Sequence, residues 1–332
     1  MTHRTPLRSV GAACHDRGVT SPRAARPDAT RTWHPAGPVD VRRTLGALGK
    51  GPYDPAHQVA PDGATWRASR MATGAVTYRV SAARVTPAPR EITVEAWGDG
   101  AEELVAEAPF LLGGADDWSD FDPRIPLVAR ALARHPGLRL PRQRRIFETL
   151  VPAIIEQRVP GVDAYASWRR LLRTHGEPAP GPTPVPMWVP PSAEDWRALP
   201  SWAWHRAGVD PARSRTAVAA AQRAAAIQRL VDRPYAEVAA GLRSLPGIGE
   251  WTAAEVLSRL GDPDAVSVGD YNLAKDVGWA FDGEPADDAR MLEILEPWRG
   301  QRGRVIHLLY ADGALRRPRR GPRLTRMDHR RR

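Results

Sequence analysis

The stretch of sequence that decides the fold runs Leu245-Pro246-Gly247-Ile248-Gly249-Glu250-Trp251-Thr252-Ala253. Apolar residues recur at helical spacing over 235–243 and again over 250–260, so the pattern predicts two helices joined by a short turn. Glycine has no side chain, and Gly247 and Gly249 therefore bring bare backbone amides to the surface. The second helix begins with unpaired N–H groups that suit a phosphate. An ordinary tight turn between two helices is the alternative interpretation.

A carboxylate follows this hairpin at a short distance. Asp270 lies 21 positions after Gly249 and directly follows the apolar run Ala265-Val266-Ser267-Val268-Gly269. An aspartate in this place can cap a helix that starts at Tyr271, which stabilises such a helix by about 1 kcal/mol. The same carboxylate can also act on a substrate, and the two roles are compatible.

The hairpin followed by Asp270 resembles the helix-hairpin-helix DNA glycosylase superfamily, in which this aspartate is the catalytic residue. The resemblance is closest to the 3-methyladenine DNA glycosylase II family, which shares the Trp-Thr-Ala of 251–253 and a tyrosine after the aspartate. It implies a mainly α fold with a small N-terminal α+β domain. It further implies a cleft between two helical subdomains.

The resemblance also implies an activity. Family members release a damaged base, and a fixed carboxylate stabilises the oxocarbenium-like sugar that forms. Members that also cut the backbone place a lysine where this chain has Trp251, and Lys50 and Lys275 are its only lysines. We therefore expect a monofunctional enzyme that excises alkylated purines. The alternatives are an 8-oxoguanine-type glycosylase and a non-catalytic helix-hairpin-helix DNA-binding protein.

The resemblance identifies the residues of the expected site by their positions in the motifs. By the resemblance, Trp251, Tyr271 and Trp298 would line a pocket for a flipped base, whose electron-poor ring suits aromatic faces. The alternative interpretation is that these aromatic residues belong to the core. Glu255 stands where the family carries an aromatic, and it is either a pocket residue or a solvated side chain on the helix. The residues expected to contact DNA are Gly247, Ile248, Gly249, Thr252, Gln157 and Arg158.

Gln157 and Arg158 belong to a second motif, Ile154-Ile155-Glu156-Gln157-Arg158-Val159. In the family, residues of this turn fill the gap that the flipped nucleotide leaves in the duplex. At position 158 this chain has an arginine where a relative carries an apolar wedge residue. A plain surface charge is the alternative interpretation of that residue.

The composition and hydrophobic pattern of the sequence predict four segments. Residues 1–32 and 316–332 are polar and rich in Pro or Arg, which indicates a disordered leader and a disordered basic tail. Alternation over 64–70, 75–80 and 91–97 predicts a small antiparallel sheet in an α+β domain spanning 33–112, with helices over 39–48 and from 101. Residues 113–315 follow helical spacing and include the hairpin at 235–260, while seven prolines over 178–191 predict a loop.

Composition limits the class of protein. The formal net charge is +10, and nine arginines within 316–332 supply most of it, so the folded part is closer to neutral. Cys14 is the only cysteine, which leaves no set of thiolates for zinc or an iron–sulfur cluster. We expect no side-chain metal site, although the resemblance implies that the hairpin carbonyls could hold a monovalent cation, as in relatives. The expected state is a cytoplasmic, nucleoid-associated monomer bound to double-stranded DNA with damaged bases, and no membrane partner.

Overall fold

The structure is a computed structural model that describes residues 26–82 and 91–315. The expected basic tail over 316–332 lies outside the described residues, as does the expected leader up to residue 25. Among the described helices, none has the length and apolar character needed to cross a membrane.

The N-terminal part is built on a five-stranded antiparallel sheet with the order β1-β5-β4-β3-β2. The strands are β1 (Ala29–Trp33), β2 (His57–Val59), β3 (Thr65–Arg70), β4 (Ala75–Ala82) and β5 (Ile92–Trp97). The three strands predicted from alternation are confirmed as β3, β4 and β5. The short strand β2 was not predicted, because three residues are too few to show an alternating pattern.

The expected leader extends through residue 32, and this boundary is wrong. Strand β1 pairs along β5, from Ala29 opposite Ala96 to Trp33 opposite Ile92. Only Ala29 of this strand is buried, while the next three residues are exposed. An edge strand of this kind is held by backbone hydrogen bonds rather than by apolar side chains, so hydrophobic alternation did not reveal it.

Two helices accompany the sheet, α1 (Val41–Gly46) and α2 (Ala101–Leu111). The first is shorter than the predicted 39–48, because the Asp40 carboxylate accepts a hydrogen bond from the Arg43 backbone N–H at 3.0 Å and fixes the start. Helix α2 lies on one face of the sheet and buries its apolar stripe there. The buried side chains of that stripe are Ala101, Leu104, Val105, Ala108 and Leu111.

The rest of the described chain is helical, as the sequence predicts. Its helices are α3 (Pro126–Arg134), α4 (Ile146–Glu156), α5 (Gly161–His175), α6 (Ala193–Ala198), α7 (Ser201–Ala207), α8 (Pro211–Gln222), α9 (Ala224–Gln228), α10 (Tyr235–Arg243), α11 (Glu250–Arg259), α12 (Leu273–Asp282), α13 (Asp288–Leu295) and α14 (Arg302–Asp312). One detail differs from the predicted loop over 178–191. The proline-rich loop closes through two-residue strands, β6 (Glu177–Pro178) and β7 (Trp188–Val189), which pair antiparallel.

Three apolar cores divide the molecule. One lies between α2 and the sheet, around Tyr78. A second joins the other face of the sheet to the central helices, and the stacked rings of Trp66 and Trp97 belong to it, 5.3 Å apart. The third holds α3, α12, α13 and α14 together. Helix α11 packs in the second core and α12 in the third, so the hairpin and Asp270 meet at the boundary between two helical layers.

Candidate active site

The hairpin turn between α10 and α11 is exposed and depends on its glycines. Gly247 has a φ of +84°, and a Cβ atom there would collide with the Thr216 side chain of α8. At Gly249 a Cβ would meet nothing within 4 Å, so this position faces open space. Gly249 is the N-cap of helix α11 and offers no side chain to cap it. The first N–H groups of α11 are therefore available to an external acceptor such as a phosphate oxygen.

Of the predicted DNA contacts, Gln157 bonds to the hairpin, and the side chains of Thr252 and Ile248 are buried. The Gln157 side-chain amide donates to the Gly247 carbonyl and to the Thr252 hydroxyl, both at 2.9 Å. Thr252 and Ile248 are 2% and 6% exposed, so their side chains cannot reach a duplex. The sequence placed these residues near the turn, but it could not distinguish side chains that brace the turn from those that face outward. Only the backbone of Ile248 can contribute to a DNA contact.

Arg158 stands at the end of α4 with its side chain exposed and a φ of +55°. A left-handed backbone is uncommon for a residue with a side chain, and it persists where the surroundings enforce it. Here the neighbouring Gln157 is fixed to the hairpin and Gly161 begins α5. The turn therefore holds a cationic side chain outward, next to the exposed glycines.

Asp270 is held by three N–H donors. One carboxylate oxygen, Oδ1, accepts hydrogen bonds from the backbone N–H groups of Asn272 and Leu273 at 2.8 and 2.9 Å. These bonds cap α12, which begins at Leu273, two residues later than the predicted start at Tyr271. The other, Oδ2, accepts from the indole N–H of Trp251 at 3.0 Å. The Trp251–Asp270 hydrogen bond joins the two helical layers. It orients the carboxylate while leaving Asp270 partly exposed.

The three aromatic residues expected in a base pocket lie in different environments. Trp251 is half-buried beside Asp270. Tyr271 is 70% exposed, with the Lys275 ammonium 4.1 Å from the centre of its ring. Trp298 is 5% exposed, packs edge-on against Phe281 and donates its indole N–H to the Asp122 carbonyl. Trp298 therefore belongs to the third core, and its ring is not available to stack on a base.

A group of four charged side chains, which we call the charged cluster, lies next to this site. The Lys50 ammonium contacts a Glu156 carboxylate oxygen at 2.6 Å. Arg259 contacts Glu255 at 2.9 Å, and the Ser267 hydroxyl donates to the other Glu255 oxygen at 2.6 Å. Each oxygen of Glu255 accepts one hydrogen bond, so the alternative interpretation of Glu255 as a solvated side chain is wrong, while its place in a base pocket stays a prediction.

Burial and mutual attraction compete within the charged cluster. Burial lowers the pKa of Lys50, Arg259 lowers it further, and Glu156 opposes both. Burial acts to raise the pKa of Glu255, but Arg259, Ser267 and Lys50 outweigh it and leave that pKa below its usual value. Arg259 and Ser267 thus favour the charged form of Glu255, and Glu156 favours the charged form of Lys50.

The loop that carries Lys50 was not singled out from the sequence. Asp54 is 1% exposed, and its carboxylate accepts from the Lys50 backbone N–H at 2.8 Å and from the Trp168 indole at 3.0 Å. The Tyr165 ring lies so close to Gly51 that a Cβ there would overlap it. The short Gly49-Lys50-Gly51 sequence was the only available signal, since glycines on both sides of a lysine indicate close backbone packing.

Two cavities in the described part of the chain lie near or beyond the charged cluster, and the smaller one, of about 20 Å³, is lined by Lys50 and Arg259 among others. A cavity of about 430 Å³ opens between the sheet and α4, lined by Arg145, Trp168 and Trp196 among others, and none of the predicted site residues lines it. Within 26–82 and 91–315, no group of three or more His, Cys, Asp or Glu side chains could hold a metal ion. The Gly247 carbonyl already accepts one hydrogen bond from Gln157, and a cation at the hairpin stays a prediction.

The fold is shared with solved DNA glycosylases at low sequence identity. The 3-methyladenine DNA glycosylase of Archaeoglobus fulgidus superposes with a TM-score of 0.70 at 19% identity, over 85% of this chain and 98% of that one. The 8-oxoguanine glycosylase/lyase of Clostridium acetobutylicum superposes with a TM-score of 0.66 at 12% identity, over 85% and 95% of the two chains. No protein-family model and no curated protein sequence matches the chain. At these identities the likeness establishes the fold and leaves the substrate open.

Proposed function

We propose that this chain, which has the fold of helix-hairpin-helix DNA glycosylases, is a monofunctional DNA glycosylase that excises alkylated purines from duplex DNA. The observation that carries the proposal is the Asp270 carboxylate, fixed by three N–H donors and still partly open at the boundary of the two helical layers. The exposed hairpin glycines precede Trp251, which bonds to Asp270, and the outward Arg158 follows Gln157, which bonds to the hairpin. The arrangement suits a nucleotide turned out of a duplex.

The chemistry needs one carboxylate. As the bond between the base nitrogen and C1′ breaks, its electron pair leaves with the base and positive charge develops on the sugar. Asp270 would stabilise that charge and orient a water molecule, whose oxygen bonds to C1′ while its proton is lost to solvent or to the carboxylate. An alkylated purine already carries positive charge, so it departs as a neutral base.

The 8-oxoguanine alternative draws on the structural likeness to the clostridial glycosylase/lyase. A lyase needs an amine that forms a Schiff base with the sugar, and this chain has Trp251 at the hairpin position of that amine. Borohydride trapping on abasic DNA separates the two proposals, because a monofunctional enzyme leaves no covalent adduct. A trapped adduct would favour the lyase.

The direct test is release of free base from duplex DNA that contains 7-methylguanine or 3-methyladenine. We expect the wild-type protein to release both bases and the Asp270→Asn variant to lose at least about 100-fold in rate. The variant should still bind the duplex, because the hairpin is unchanged. Full activity in this variant would refute the catalytic assignment, and binding without release by the wild type would support the non-catalytic alternative.

A further inference from the structure

Resting on the proposed function, we infer that Lys50 and Glu156 recognise the Watson–Crick edge of the flipped purine by hydrogen bonds. The site would accept purines whose N1 and C6 positions are unmodified. Purines in which a bridging ring blocks those positions, such as 1,N6-ethenoadenine, would be rejected. The charged cluster would thereby replace aromatic stacking as the source of selectivity deep in the cleft.

The depth of the charged cluster fits a base. Two hydrogen bonds join α11 to the segment before α12, one from Trp251 to Asp270 and one from Ser267 to Glu255. Trp251 and Glu255 are four residues apart on one helix face, a rise of about 6 Å. With the sugar at Asp270, the far edge of a purine would extend about that distance, toward the level of Glu255 and its neighbour Lys50.

Lys50 and Glu156 have fewer side-chain partners than Glu255, which accepts from both Arg259 and Ser267. An ammonium group has three donors, and within the described chain the Lys50 ammonium contacts only Glu156. A carboxylate has about four acceptor positions. The pair therefore presents a donor beside an acceptor. Adenine, guanine and hypoxanthine each carry an acceptor beside a donor at N1 and C6, so either order of the two groups can be matched.

The position of Lys50 is fixed in advance. The buried Asp54 carboxylate holds its backbone N–H, and the Tyr165 ring covers Gly51. Glu156 immediately precedes Gln157, which is bonded to the hairpin. Lys50 is thus anchored through its backbone and Glu156 through its neighbour Gln157, and such preorganisation favours selective recognition.

The simplest variant, Lys50→Met, leaves Glu156 buried without a partner and can fail to fold. The test therefore uses Lys50→Met/Glu156→Met, which removes both charges, and Glu156→Gln, which keeps the shape and changes one acceptor into a donor. Arg79→Met serves as the matched control, since Arg79 pairs with Asp62 and Glu95 on the sheet. Each variant is measured for 7-methylguanine release and for binding to a duplex with a tetrahydrofuran abasic site.

Release of 7-methylguanine should fall about 10- to 100-fold in both cluster variants, the loss expected for hydrogen bonds to charged groups. Binding to the abasic duplex should equal that of wild type, because this DNA carries no base to recognise. Wild type should also excise ethenoadenine at least about 100-fold less efficiently than 7-methylguanine.

Unchanged 7-methylguanine release in the cluster variants would overturn the inference. So would a loss that parallels weaker abasic binding, or efficient ethenoadenine excision by wild type. Any of these three results would leave the proposed glycosylase function unaffected. Failure of the wild type to release any alkylated base would instead refute the proposed function, and the inference with it.

Discussion

The hairpin with Asp270 and the charged cluster share helix α11, but they are assembled in opposite ways. The hairpin site is contained in residues 245–270, where a turn, one helix and a capping carboxylate follow one another. The charged cluster takes one lysine from the sheet domain, one glutamate from α4 and an ion pair from α11. Local contacts position the first, whereas only the packing of three parts of the chain positions the second.

This difference distinguishes the group that would act on the sugar from the groups that would contact the base. The group that would act on the sugar is held by short-range hydrogen bonds and tolerates variation elsewhere in the chain. The groups that would contact the base depend on how the sheet domain packs on the helices, so they can vary without disturbing Asp270. The following predictions test that separation, in order of decreasing effect.

The Lys50→Met variant should lose about 3–5 kcal/mol of unfolding free energy, because it leaves the Glu156 carboxylate buried without its cation. The Lys50→Met/Glu156→Met variant should recover most of that loss. Chemical denaturation of both variants measures the difference. Equal stabilities of the single and double variants would show that the two side chains are not coupled.

Stability should decrease when the pH falls below about 6.5. Burial lowers the pKa of His307 to about 4, with Arg259 adding to the effect and Glu255 and Asp116 opposing it. As the pH falls, His307 therefore takes up a proton in the unfolded chain before it does so in the folded chain. Its contribution to the free energy of unfolding is complete above about pH 6.5 and is lost toward pH 4, at up to about 1.4 kcal/mol per pH unit.

Denaturation of His307→Asn over this pH range should give a shallower dependence than wild type. A remaining slope is expected from His57, whose pKa is lowered to about 3 by burial and by Arg67. Identical slopes for wild type and His307→Asn would argue against a neutral, buried His307.

The Trp251→Phe variant should reduce base release about 10-fold while leaving stability within about 1 kcal/mol of wild type. It keeps an aromatic face and removes one neutral-donor hydrogen bond to the Asp270 carboxylate, a loss of about 1.4 kcal/mol in the transition state. Single-turnover release of 7-methylguanine measures the effect. The Trp202→Phe variant is the control, since Trp202 lies exposed on α7.

The smallest expected effect is a gain in stability from Tyr53→Gly. Tyr53 is 76% exposed and has a φ of +66° in the loop that carries Lys50. Glycine adopts that conformation without steric cost, so the variant should be more stable by roughly 0.5–1 kcal/mol. Tyr53→Ala, which removes the ring and keeps the strained backbone, should not show the gain.

Particular residues show how far the sequence could be interpreted. The glycines of the hairpin, the helices on both sides of it and the strands β3, β4 and β5 were predictable, because each depends on local periodicity or on a backbone conformation. Trp298 was placed on a pocket wall and lies in a core, and Thr252 was placed on the DNA and braces Gln157. Those assignments failed because one sequence position is compatible with an inward or an outward side chain.

By itself, the sequence determined the hairpin, the carboxylate after it and the absence of a hairpin lysine, since these features need only neighbouring residues. The tertiary structure decided that Lys50 meets Glu156 beside Glu255 and Arg259. Buried charges are stable only beside partners, and those partners lie in distant segments that come together when the sheet domain packs on the helices.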